Sequence, residues 1–229
     1  MVRSVLTVFL IGALTVPAQS EPKACPDAMF AVDAGIDAMT VKVCRMATEV
    51  RAQLSSCGLD QWRALTIEIV DSVSHPLGNC VAFFDCEYDV VRITEPASWD
   101  ALLAGDKAYG SLPTDITLRA LLTHEITHAL VAWSAPDRNI PMVDQEYIAA
   151  SMELEFMDQK WRDVLLATVD LKLPPSEALI DIWIYGFSPR DFGVNAWRHF
   201  NLPENGCSLV QKIMAGDYSF AKNQRPELR

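Results

Sequence analysis

Apolar residues along this chain change their spacing several times, and each change marks an element. In residues 27–56 they recur at three and four (Met29, Val32, Ile36, Met39, Val43, Met46, Val50, Leu54), which predicts helix. Gly35 is a place where that stretch can divide, and Cys57-Gly58 is a helix stop. The period then shortens to two. Residues 65–70 alternate as a strand, residues 75–79 (His-Pro-Leu-Gly-Asn) form a turn, and 81–84 and 90–93 read as two more short strands. Residues 96–104 suggest a short helix. The helical period returns from Pro113-Thr114 to about Trp133. Pro136 and Pro141 punctuate a loop. One long helix is expected over 142–168, another over 176–186 after Pro174-Pro175, and two more over 188–200 and 204–215, ahead of a loose ten-residue tail. Helix, small sheet, then a helical half is an α+β order. It divides as one domain, 21–229, with a helix-plus-sheet lobe (21–133) and a helical lobe (134–229).

The first twenty residues stand outside this pattern. Arg3 is followed by an apolar run, residues 5–16, too short to span a bilayer comfortably. Pro17 breaks it, and Ala18-Gln19-Ser20 fits a small-x-small cleavage site. Residues 1–20 therefore read as a signal peptide, and the chain as exported, to a periplasm or the medium. No later run has membrane length, so no membrane association is expected after cleavage.

Composition adds two constraints. The 229 residues carry a net charge of −11, and loss of residues 1–20 removes Arg3 and no acid, leaving −12. Such a surface repels nucleic acid. All six cysteines (Cys25, Cys44, Cys57, Cys80, Cys86, Cys207) follow residue 20, and an even number in an exported chain points to disulfides. Cys44 and Cys57 on one continuous helix would sit about 20 Å apart, beyond bonding reach. Cys80 and Cys86 are close enough in sequence to staple a tight loop, and that pair is the expected one.

The chemistry concentrates in His124-Glu125-Ile126-Thr127-His128. Histidines four apart on a helix share a face, within about 40° of each other, and each offers one neutral nitrogen to a single metal. The apolar stripe Leu118, Leu122, Ile126, Ala129 and Trp133 lies elsewhere on the same helix, so the motif face is free of the main core. Glu125 in this pattern is a base for metal-bound water rather than a ligand. Zinc lowers the pKa of such a water, and the carboxylate takes its proton and later returns it to the leaving amine. A catalytic zinc takes three protein ligands and keeps one position open. Asp144, Glu146 and Glu153 are the candidates for the third.

Residues 118–150 resemble the gluzincin branch of the zincin metallopeptidases, in which a Glu on the helix after the motif helix completes the site. Pro141, Glu146 and Ala149 match the proline and small residue that flank that Glu, and the gap of eighteen residues from His128 to Glu146 is in the usual range. The resemblance implies His124, His128 and Glu146 as zinc ligands and Glu125 as general base, in a zincin-like fold. It also implies a Tyr or His from the helical lobe to stabilise the oxyanion, for which Tyr185 and His199 are the candidates. Two positions depart from the pattern. Tyr147 stands where Gly is frequent, and Ala150 where an Asp would orient the first histidine, so another group must orient His124. Tyr147 itself points about 100° from its neighbour and reads as packing. His75 reads as loop.

The implied activity is hydrolysis of a peptide or protein substrate, laid along an edge strand at residues 80–84 or 90–93. The competing reading is a zincin-like module that binds metal without cleaving. The intact Glu125 argues against it.

Overall fold

The computed structural model describes residues 21–75, 78–106, 108–171 and 174–223. The expected signal peptide, and the last residues of the expected tail, lie outside the described residues.

The sheet grows from two segments of different pedigree. Residues 65–70 form β3 (Leu65–Val70), as their alternation predicts, with Leu65 and Ile67 fully buried. The start of the expected first helix does not form helix. Phe30–Asp33 is a strand, β2, following the two-residue β1 (Lys23–Ala24). Val32 fits the helical spacing through Met29 and Ile36, but Phe30 and Val32 are two apart, and burying both against β3 satisfies the strand period instead. Gly35, at φ 65°, turns the chain, and α1 (Asp37–Ser55) begins only then. It stops as the sequence predicts, at Gly58 with φ 76°, where Leu59 N–H returns to the Leu54 carbonyl.

β4 (Val73–His75) and β5 (Gly78–Cys80) form a separate hairpin. β6 (Ala82–Asp85) and β7 (Val90–Thr94) complete the main sheet, whose order is β1-β2-β3-β7-β6. β2, β3 and β7 are mutually parallel, while β1 and β6 run antiparallel at the two edges. Of the two segments expected to offer an edge, residues 90–93 therefore lie inside the sheet, and only the stretch at 80–84 reaches the border.

A 3-10 turn (Pro96–Ser98) and α2 (Trp99–Leu102) lead on to α3 (Thr114–Ser134), which packs on α1, on β6 and on α4 (Met142–Glu155). The predicted stripe of α3, Leu118, Leu122, Ile126, Ala129 and Trp133, is buried throughout. The long helix expected over 142–168 is two: α4 ends at Glu155 and α5 (Gln159–Ala167) starts after a break. Arg162 makes the break, donating through Nη1 to the carbonyls of Leu154 and Glu155 at 3.1 Å and of Met157 at 3.4 Å. Those carbonyls are α4's unsatisfied end. The expected helix at 176–186 is a 3-10 turn (Glu177–Leu179) followed by α6 (Ile182–Phe187), whose N-cap Asp181 accepts from Trp183 N–H at 2.8 Å. α7 (Pro189–Phe200) and α8 (Cys207–Ala215) follow, then a closing 3-10 turn (Phe220–Asn223). The whole is a mixed α+β fold, with eight α-helices among the described residues.

Two disulfides are present, Cys25–Cys44 and Cys57–Cys207. The expected Cys80–Cys86 bond is not: both thiols are free. The cause is β6, whose four extended residues lie between them and span about 10 Å, past the roughly 7 Å Cα limit for a disulfide. Among the described residues no helix is long and apolar enough to cross a membrane.

Candidate metal centre

α3 and α4 cross so that one face of each looks into a shared cleft. His124 and His128, one turn apart on α3, stand with ring centroids 4.9 Å apart. Glu146, in the second turn of α4, faces both. Its Oε2 lies 3.4 Å from His124 Nε2 and its Oε1 3.6 Å from His128 Nε2. One donor atom from each of the three residues falls within 4.8 Å of the others. Glu146 Oε2 is buried and has no hydrogen-bond partner. An unsatisfied buried carboxylate oxygen is costly unless something takes its place as partner, and two imidazole nitrogens with a carboxylate are a donor set that fits a metal ion. Burial works to raise the Glu146 pKa, but His128, His124 and the Tyr185 hydroxyl outweigh it and hold the carboxylate below its ordinary value.

The first ligand is fixed from behind. His124 Nδ1 is 2.8 Å from Glu153 Oε2, so the ring donates there and leaves Nε2 to face Glu146. Glu153, weighed above as a ligand, is instead the group that orients His124. The Asp missing at position 150 is thus replaced from one turn further along α4. Glu153 lies seven residues after Glu146, two helical turns, and that same-face spacing is the signal that could have revealed it. Burial drives its pKa up to about 7, against the pull of Arg190 and with a contribution from Asp106. Gln145 acts on His128, raising its pKa slightly, and is itself held by the Ile140 carbonyl, to which its Nε2 donates at 2.8 Å. Nothing in the sequence pattern singled out Gln145. Burial lowers the His128 pKa, favouring the neutral ring that a metal requires.

Glu125 is buried, with 7 % exposure, next to this group but not part of it. Phe84, on the edge strand β6, presents its backbone to this carboxylate and pulls its pKa down. Burial raises its pKa to about 7, with His128 opposing and Glu146 adding.

The remaining candidates separate cleanly. Tyr185, on α6, reaches the group: its hydroxyl pulls the Glu146 pKa down, and burial together with Glu146, Glu125 and Glu153 raises its own, so it stays protonated. His199 does not reach it. It is buried elsewhere against α4, with Nδ1 3.1 Å from the Tyr147 hydroxyl and 3.3 Å from Asn205 Nδ2, and with its ring edge-on to Phe220. Tyr147 is fully buried packing, as expected. Asp144 is turned away from the cleft as well. It accepts from Ser219 Oγ at 2.6 Å and Phe220 N–H at 2.8 Å, tying the closing turn to α4. The helical phase explains this: Asp144 and Glu146 are two apart and so point to different sides.

The cleft has a volume of about 720 Å³. β6 forms one wall through Ala82, Phe83 and Phe84, and the loop around Pro136 and Ile140 forms another. Both free thiols, Cys80 and Cys86, also border it.

Fold and site together define a mixed α+β protein with a partly buried His/His/Glu group able to hold a metal ion. Residues 30–223 match a family of unknown function (DUF6639), and the chain belongs to that family. Neither a curated protein nor a solved structure matches it.

Proposed function

We propose that this chain is an exported zinc-dependent metallopeptidase of the zincin type, with His124, His128 and Glu146 as ligands. The observation that carries the reading is the position of Glu125. It is a second buried carboxylate beside the ligand group, excluded from it, and set against the edge strand β6. A site that only stored metal would have no use for it. Two imidazoles and one carboxylate suit zinc and leave a coordination position open. Zinc held by His124, His128 and Glu146 would supply Lewis acidity and acidify a water. Glu125, beside the ligands and outside them, would serve as the base for that water and as the acid for the departing amine. Tyr185, kept protonated, donates to the oxygen that gains charge as the carbonyl is attacked. The outer edge of β6 would hydrogen-bond an extended peptide and align it across Glu125. Two disulfides suit an oxidising compartment, in keeping with an exported substrate.

The test is metal analysis of protein purified without a histidine tag, followed by peptide cleavage by wild type and Glu125→Gln. The expected result is one zinc per chain in both, with cleavage lost by at least about a hundredfold in the variant. Zinc in both with no cleavage of any peptide by wild type would leave a binding module and remove the peptidase. Absence of metal at stoichiometric zinc would remove both.

A further inference from the structure

β6 and β7 are joined by a tight turn, residues 86–89, and Asp89 closes it at φ 52°, the one positive φ outside glycine among the described residues. Asp and Asn enter that left-handed region more readily than most side chains. The Asp89 carboxylate is half-buried and engaged on both oxygens. Oδ1 accepts from Trp133 Nε1 at 2.8 Å, across 44 positions of sequence, and Oδ2 pairs with Arg63, just ahead of β3. The Arg63 guanidinium lies over the Trp133 ring at 4.8 Å. Trp133 in turn stands edge-on to Phe84 of β6, with ring centroids 6.3 Å apart. The hairpin tip, the last turn of α3 and the approach to β3 thus meet at one side chain. α3 carries His124, Glu125 and His128, and β6 walls the cleft they open into.

We propose that Asp89 is a positioning residue for this site: it fixes β6, the edge along which an extended substrate is laid, at a set distance from the helix that presents Glu125. That β6 receives a peptide rests on the peptidase reading; the tie between hairpin and helix does not. β6 is held in the sheet on one side only, by β7. That ladder fixes register along β7, but the spacing from β6 to α3 has to be set by side chains. Phe84 against Trp133 supplies packing, which is non-directional. Asp89 supplies the directional, charge-assisted bond. It stands outside the residues that line the cleft, so it acts through β6 and not on a bound ligand.

The experiment uses the zinc-loaded chain and two chelators. Acetohydroxamate reports the metal alone, and the hydroxamate of an extended tripeptide also reaches β6. Calorimetry reads both affinities, and hydrogen exchange reads the β6 amides. In the wild type the peptide compound is expected to bind more tightly than acetohydroxamate. Asp89→Gly keeps the turn's φ without steric cost. It should cut that increment at least about tenfold and speed β6 exchange by a similar factor, with acetohydroxamate affinity and zinc content unchanged. Asp89→Asn, whose amide oxygen still accepts from Trp133, should keep most of the increment. Trp133→Phe removes the same bond from the other side and keeps a ring against Phe84, should Asp89→Gly fold poorly. A folded variant of either kind that keeps both the increment and the slow exchange overturns the proposal. So does an equal loss of acetohydroxamate affinity, which would make Asp89 a purely structural residue. A wild type with no increment and no cleavage of a peptide library removes the peptidase reading; exchange at β6 then decides the tie on its own. Cleavage by wild type, with an increment that neither variant changes, removes the positioning role and keeps the peptidase.

Discussion

Glu153 shows how far the metal centre extends beyond its ligands. Its carboxylate decides which nitrogen of His124 faces Glu146, so its loss should loosen the site without removing a ligand. Glu153→Ala is expected to lower metal affinity by about 10–100-fold, and Glu153→Gln by less, because the amide oxygen still accepts from Nδ1–H. Competition titration against a chromophoric chelator measures both. A second residue-scale prediction concerns His199. Burial holds its folded pKa below the ordinary 6.5, with the Glu177 and Glu204 carboxylates partly opposing. The unfolded chain therefore binds the extra proton first. The contribution of the neutral ring is complete above the unfolded value and is lost as pH falls from about 6.5 toward the lower folded value. His199→Gln should flatten the fall in unfolding free energy over that window, as read by urea melts at a series of pH values; an unchanged slope would assign it to other groups.

At the scale of elements, the legible parts of the sequence were those where one period had no rival. The alternation at 65–70 and the stripe on α3 left no second reading, and the motif histidines fell on the open face of that helix. Val32 belonged to two patterns at once, helical with Met29 and Ile36 and extended with Phe30, and only the partner strand at Leu65–Glu68, distant in sequence, decides between them. The same holds for α4 and α5. No proline or glycine marks their boundary; a side chain from the second helix caps the first. Removing that cap tests the account. Arg162→Ala should destabilise the protein by about 1–3 kcal/mol, the range for charged donors on buried carbonyls, in denaturant titration. Of the site, the ligand spacing was legible because it is local to two helices. Gln145, the Phe84 backbone and the fate of His199 depend on how three elements meet, and no spacing rule encodes that.

Across the whole molecule, the Cys57–Cys207 bond ties the end of α1 to the start of α8. It closes a loop of 150 residues that contains three of the main sheet's strands, β3, β6 and β7, and the entire candidate site. Long loops lose the most unfolded-state freedom on closure, so replacing the pair with serines should cost about 2–5 kcal/mol. A midpoint shift in guanidinium, compared with the same measurement on the Cys25–Cys44 pair, would show whether loop length governs the effect.

That same bond sets a timetable. A chain emerging from its N-terminus can seal Cys25 to Cys44 early, but Cys57 must wait until almost the last element has been delivered. During the wait its nearest available thiols are Cys80 and Cys86, which remain unpaired in the finished molecule. Maturation is thus a race between a distant correct partner and two close wrong ones, and a thiol–disulfide shuffling catalyst becomes part of what this fold requires of its surroundings.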